Sequence, residues 1–242
     1  ASRGASHTST ALARLDENGS ASYTFDLEWA PTAPIEVPET AQIIEAGSIS
    51  AIIEPGASAV LDALARGREH ALIFFDPNAR PSIMGEPAAA LASLERFIAL
   101  ADVVKVSDED IDWLTGGAPV DEVVDRWLGM GVSLVVVTRG KHGSDVTTAS
   151  GLRFTKTPSD VPVVDTVGAG DSFMGGMIDA MWGMGLRGAE VREALRTLPE
   201  EQVRAIIDRA SAVSDVTVSR KGANPPWEIG RASCRERVLR LV

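Results

Sequence analysis

Asp165-Thr166-Val167-Gly168-Ala169-Gly170-Asp171-Ser172-Phe173 sets two carboxylates around a glycine-rich turn, directly before a run at 174–184 with helical character. Glycines at 168 and 170 let the chain turn tightly and bring main-chain N–H groups close to a ligand, and the helix behind them adds its positive end. Such a turn can hold an anion on free amides while a carboxylate takes a proton from an attacking hydroxyl, so the stretch reads as a phosphoryl-transfer site. An aspartate in a first helical turn also serves capping and the helix dipole alone, and for an isolated Gly-x-Gly-Asp that plainer explanation comes first. Two rival nucleotide motifs fail on spacing. No Gly-x-x-x-x-Gly-Lys-Ser/Thr occurs in the chain, and a dinucleotide fingerprint would need glycine where Phe173 stands.

Outward from that turn, apolar runs at 43–49, 71–75, 103–106 and 134–138 are short and rich in β-branched residues, as buried strands are. Between them 57–68, 87–101 and 120–130 fit helices, and helical patterns continue through 191–198 and 201–214. The alternation predicts an α/β fold, a doubly wound and mainly parallel sheet flanked by helices. Ahead of it, 11–15 and 21–27 alternate at period two around Asn18-Gly19, which predicts a β-hairpin, and Pro31, Pro34 and Pro38 then interrupt regular structure. Three parts are expected: a partial β lid with its connection at 1–40, an α/β core at 41–227, and a separate tail at 228–242.

In doubly wound sheets ligands lie beyond the carboxyl ends of the strands, so the polar residues just after each apolar run are the candidates. Asp76, Asn78 and Arg80 follow one such run, Ser107 and Asp110 the next, and Thr138, Gly140 and Gly143 a third. Each set has a plainer explanation: a proline-bearing turn with a solvated arginine, an N-cap box, and a glycine-rich hairpin leading into 144–148.

The string at 165–171 matches, at every specified position, the pattern Asp-Thr-x-Gly-Ala-Gly-Asp, and so resembles the C-terminal signature of the ribokinase-like (PfkB) carbohydrate kinases. Within that family the chain is most similar to bacterial fructokinases, through this string and Asp76-Pro77-Asn78-Ala79-Arg80-Pro81-Ser82. The resemblance implies Asp171 as general base and the amides of Gly168, Ala169 and Gly170 as an anion hole. It makes Arg80 a clamp on phosphate oxygens, and Asp76 and Asn78 lining of the sugar site. Thr138, Gly140, Gly143 and Thr166 would approach the nucleotide phosphates. Ala210 and Val213 would flank adenine, although apolar helix residues near a C-terminus are core far more often than cofactor wall. The family places Asn-x-x-Glu near magnesium; here Ser107 and Asp110 stand in those positions, so Asp110 is equally a cap and an indirect metal ligand. The implied reactants are ATP with Mg²⁺, with room for a monovalent cation, and a sugar, fructose first. Alternatives are a nucleoside or 2-keto-3-deoxy sugar kinase of the same fold, or a nucleotide-binding fragment without turnover. The lid would cover the sugar and could join two copies as a homodimer.

A net charge of −11 argues against a nucleic-acid partner, since phosphate backbones are bound by basic surfaces. No apolar run approaches the roughly 20 residues that span a bilayer, and a cytoplasmic protein is the default expectation. One cysteine excludes an internal disulfide framework, and His7, His70 and His142 are scattered. The chain starts without methionine and runs straight into strand-like alternation, and the family's N-terminal signature is not found, so an N-terminally shortened piece is expected. The stretch from Glu228 through Arg231, Cys234 and Arg237 looks like a translated sequencing adapter and is set aside from fold reasoning; a native basic tail is the alternative.

Overall fold

The computed structural model describes residues 5–15, 21–226 and 238–241. Strands β1 (Thr10–Leu15) and β2 (Ala21–Asp26) pair antiparallel, with Thr10 opposite Asp26 and Leu15 opposite Ala21. They are the expected hairpin, and its Asn18-Gly19 turn falls outside the described residues. Strands β3 (Ile43–Gly47), β4 (Leu72–Asp76), β5 (Val103–Ser107) and β6 (Leu134–Thr138) then run parallel, and β7 (Ser144–Thr148) and β8 (Arg153–Lys156) continue the sheet antiparallel. A final strand β9 (Val238–Leu241), from the tail set aside on sequence grounds, lies parallel to β3 and gives the order β8-β7-β6-β5-β4-β3-β9.

Side chains alternate across a strand. On one face Ile44, Ile73, Phe75 and Val104 meet Leu64, Phe97 and Trp127 from the helices α1 (Gly56–Gly67), α2 (Pro81–Met84), α3 (Pro87–Ile98), α4 (Asp108–Thr115) and α5 (Val120–Gly129). On the other, Ile43, Leu72, Phe74 and Val103 meet Met177, Met181 and Ile207 from α6 (Ala169–Gly183), α7 (Arg192–Leu195) and α8 (Glu200–Val218). Both faces being covered explains why these strands read as continuous apolar runs rather than alternating ones. Phe74 and Phe75, fully buried on opposite faces, each contribute roughly 1.5–3 kcal/mol of burial. The expected doubly wound, mainly parallel architecture is the one observed.

Boundaries differ where the backbone turns towards the strand ends. β3 stops at Gly47, not 49, because Ser48 takes a left-handed φ of 55° and opens a short 3-10 turn at Ser48–Ala51; a Cβ at 47 would overlap the carbonyl of Asp76, which keeps that position glycine. The short helix α2 and the strand β8 have no counterpart in the sequence expectations. Among the described residues no helix is long and apolar enough to cross a membrane.

At the opposite, amino ends of the strands, Asp102 is fully buried and accepts hydrogen bonds from Arg68 Nη1 (2.9 Å), Arg192 Nε (2.7 Å) and the Ile73 amide (2.8 Å). One carboxylate thus ties α1, α7 and β4 to β5. Removing one partner of a buried charged network leaves the others uncompensated. Asp102→Ala is expected to cost about 3–5 kcal/mol in chemical denaturation; a loss no larger than that of a surface substitution would contradict this account of the network.

Candidate active site

Helix α6 starts at Ala169 because Gly168 takes φ 78° and ψ 6°, a left-handed conformation that swings the chain into the helical turn. Ser172 closes the turn: its amide (2.9 Å) and its hydroxyl both donate to the Gly168 carbonyl. The Ala169 amide donates to the Thr166 carbonyl at 3.1 Å. This corrects one expectation, since that amide is spent inside the turn. Among the described residues the N–H groups of Gly168 and Gly170 have no acceptor.

Asp171, in the first turn of α6, lines a cavity of about 350 Å³ together with Glu45, Asp76, Asn78 and Arg80. Phe25 and Leu27, at and just beyond the end of β2, complete its wall. Residues scattered over more than a hundred positions of sequence therefore meet, because β3, β4 and the start of α6 all end on this side of the sheet. Its rim is strained: Ser48 and Asn78 are the described non-glycine residues with positive φ, 55° and 37°, and Ser48 Oγ donates to the Asn78 carbonyl at 3.0 Å. Such conformations cost on the order of 1–3 kcal/mol each and concentrate at functional sites. Arg80 is exposed; Nη1 donates to the Ala79 carbonyl at 2.9 Å, and Nη2 and Nε have no acceptor among the described residues.

Asp110 behaves as a cap. Ser107 Oγ accepts from the Asp110 amide (3.0 Å), Asp110 Oδ2 accepts from the Ser107 amide (3.3 Å), and Oδ1 accepts from the Ala79 amide (3.0 Å). The carboxylate thus starts α4 and pins the turn that carries Asn78 and Arg80. A metal-bound water would have to share oxygens already committed to main-chain donors.

A second cavity, of about 580 Å³, is lined by Thr138, Gly140, Gly143, Thr166, Ala169 and Gly170. Ala210 and Val213 do not line it. They are buried against α6, where a Cβ on Gly176 would lie 2.7 Å from Ala210 Cα and 3.2 Å from Val213 Cβ. The wall that α8 supplies is instead Ser211, Ser214, Asp215 and Val218, with Ser214 Oγ donating to the Ala169 carbonyl at 3.1 Å. Their i, i+3, i+4, i+7 spacing was readable as one helix face. The two cavities meet at the Gly170–Asp171 step, which offers one residue to each.

The sequence pointed to the segment around Lys105 without singling out the residue itself. Its ammonium is buried and donates to Asp76 Oδ2 at 2.6 Å, while Asp76 Oδ1 is buried with no partner among the described residues. A lysine inside the apolar run Val103-Val104-Lys105-Val106 was the available signal, because burying an unpaired charge is prohibitive. Burial pushes the Asp76 carboxyl above the usual carboxylate range; the Lys105 ammonium opposes this, and the charges of Asp110 and Asp171 reinforce it. Asp165 is shifted the other way. Hydrogen bonds from the Val167 amide (3.0 Å) and the Gly222 amide (2.8 Å) hold its carboxyl below the usual range and tie the turn at 165–168 to the turn at 222–223.

With this geometry in place, comparison with known proteins gives consistent results. A model of the pfkB family carbohydrate kinases matches residues 3–229. The chain is 36% identical over 171 residues to a fructokinase of Rhizobium leguminosarum bv. trifolii, covering 68% of this chain and 52% of that protein. It superimposes on a fructokinase of Xylella fastidiosa with bound ATP at a TM-score of 0.74 and 27% identity, covering 89% of this chain and 69% of the other. For a fructokinase of Vibrio cholerae O395 in a fructose, ADP and calcium ion bound form the TM-score is 0.69 at 27% identity, with 89% and 68% covered. The chain spans about half the length of the relatives it matches in sequence.

A Cβ on Gly168 would sit 2.8 Å from Ala223 Cβ, on a backbone that disfavours side chains. Gly168→Ala is therefore expected to lose about 1–2 kcal/mol and to raise hydrogen exchange at 222–223; unchanged melting and exchange would contradict the assignment. The lowered Asp165 carboxyl stabilises the fold above its unfolded pKa, and that contribution disappears as pH falls through the folded value. The melting-temperature gap between the wild type and Asp165→Asn should consequently narrow below about pH 4. A gap constant with pH would rule this out.

Proposed function

The chain belongs to the pfkB family of carbohydrate kinases, and on that premise we propose that it moves the terminal phosphoryl group of ATP onto a hydroxyl of fructose. The observation that carries this is the Gly170–Asp171 step, where a free amide and a carboxylate in successive residues face two different cavities. Fructose occupies the smaller cavity and the nucleotide the larger. As the acceptor oxygen bonds to phosphorus and the bond to the ADP bridging oxygen breaks, Asp171 takes the hydroxyl proton. The Gly168 and Gly170 amides, with the dipole of α6, hold oxygens of the transferring group, and the unused donors of Arg80 add positive charge from the acceptor side. Phe25 and Leu27 close over the sugar and keep out water, the competing acceptor.

Magnesium fits as an ion carried mainly by the nucleotide's phosphates, where it neutralises charge. Among the described residues there is no group of three or more acidic, histidine or cysteine side chains to cage it, and Mg²⁺ is ordinarily held by phosphates, waters and one or two carboxylates. Asp110, through a water, is the carboxylate this reading offers the ion, with oxygens that also accept from the Ser107 and Ala79 amides.

The test is phosphoryl transfer from Mg-ATP to fructose, followed as sugar phosphate formed. Asp171→Asn is expected to lower turnover about 10²–10⁴-fold with nucleotide affinity little changed; equal turnover in the two proteins would exclude Asp171 as base. A second reading, nucleotide binding without turnover, is favoured by the chain's coverage of about half its relatives. Its outcome is calorimetric binding of Mg-ATP with no sugar phosphate formed.

A further inference from the structure

We infer that Ser48 is a positioning residue for the acceptor: with Asp110 it clamps the peptide unit between Asn78 and Ala79, and so sets how Asn78 and Arg80 face fructose. This deepens the phosphotransfer reading and rests on it. Gly47 and Asp76 are register partners in the parallel pair β3–β4, so the chain leaves both strands side by side. Just past Gly47, Ser48 Oγ donates to the Asn78 carbonyl at 3.0 Å. The N–H of the same peptide unit, that of Ala79, donates to Asp110 Oδ1 at 3.0 Å. A peptide unit is planar, so holding its carbonyl from one side and its amide from another resists its rotation. Upstream, Asp76 is fixed in β4 and bonded by Lys105 Nζ, and the ring of Pro77 fixes that residue's φ. Asn78, between two fixed ends, takes up the mismatch as its φ of 37°.

The residue type at 48 is what points to this task. Its φ of 55° lies where glycine is at ease and a side chain is strained. Glycine would relieve that strain, yet a serine stands there, and the single donor of its hydroxyl is spent on the Asn78 carbonyl. The same carbonyl receives Arg80 Nη1 at 3.4 Å, and the Ala79 carbonyl receives it at 2.9 Å. Ser48 and Arg80 thus meet at one oxygen, and the guanidinium is folded against the turn that the clamp holds. Ser48, Asn78 and Arg80 all line the acceptor cavity. A plain cross-link between two loops would only stabilise the fold. This one holds two residues of the cavity rim in strained conformations, which fixes geometry at a cost in stability, as functional sites do. Without the clamp the Asn78–Ala79 peptide can turn and Asn78 can leave the left-handed region, taking its own side chain and that of Arg80 out of place.

Ser48→Gly and Ser48→Ala in the full chain both remove the hydroxyl, but only glycine also relieves the backbone, so the pair separates positioning from stability. Ser48→Gly is expected to melt above Ser48→Ala. The fructose KM should nevertheless rise by about the same factor in both, roughly three- to tenfold, as for the loss of one hydrogen bond, with the ATP KM little changed. Arg80→Gln, alone and combined with Ser48→Gly, completes a cycle in which the second substitution adds less than it does by itself, because both act through one turn. Hydrogen exchange at the Ala79 amide, read by NMR, should quicken in both Ser48 variants. A fructose KM restored in Ser48→Gly in step with its stability, losses in the cycle that simply add, or unchanged exchange at Ala79 would each overturn the inference. A wild type that forms no fructose phosphate would instead remove the phosphotransfer reading beneath it, and the exchange comparison, which needs no turnover, then decides the clamp by itself.

Discussion

A helix start exposes amides that nothing within the helix can satisfy. In this chain the start of α6 is placed where β4 and β5 end, and the site is organised around that placement. Gly168 supplies the left-handed residue that aims the helix, Ser172 locks the turn from inside, and Asp165 anchors it to the turn at 222. With the turn fixed, Gly170 lines one cavity and Asp171 the other. Asp102, at the far ends of the same strands, holds the scaffold that keeps this register.

Charge is arranged against the bulk balance of the chain. The net charge of −11 repels anions at long range, yet the site offers amides, a buried ammonium and a half-used guanidinium within a few residues' reach. Two unit charges about 4 Å apart interact by about 4 kcal/mol at an effective dielectric of 20, far more than diffuse surface charge contributes through salt. Local geometry therefore decides what binds here. The carboxylates serve distinct ends: Asp171 lines the smaller cavity, Asp76 holds the lysine, and Asp110 holds the turn.

Much of this was legible in the sequence. Strands buried on both faces announce themselves as unbroken apolar runs, and Asp76, Asn78 and Arg80 were found because ligands gather just past strand ends. What was hidden depended on rotation and on contacts distant in sequence. Whether Ala210 or Ser211 faces the cavity is a matter of one residue's turn about α8, and it was settled by where Gly176 lets the two helices touch. The loss of the Ala169 amide to Thr166 is a detail of turn geometry that glycine spacing does not encode. Lys105 was visible as a charge inside an apolar strand, but its partner lies 29 residues away on the neighbouring strand. The need for glycine at 47 depends on the carbonyl of Asp76, also out of reach of local pattern.

The most direct measurement of the central claim is a crystal structure of the chain with ADP, aluminium fluoride and fructose. The fluoride-bearing group should lie at the mouth of α6, within about 2.7–3.1 Å of the Gly170 amide, with a fructose hydroxyl between it and the Asp171 carboxylate. ADP phosphates lodged elsewhere, with the Gly168 and Gly170 amides facing solvent, would contradict the account.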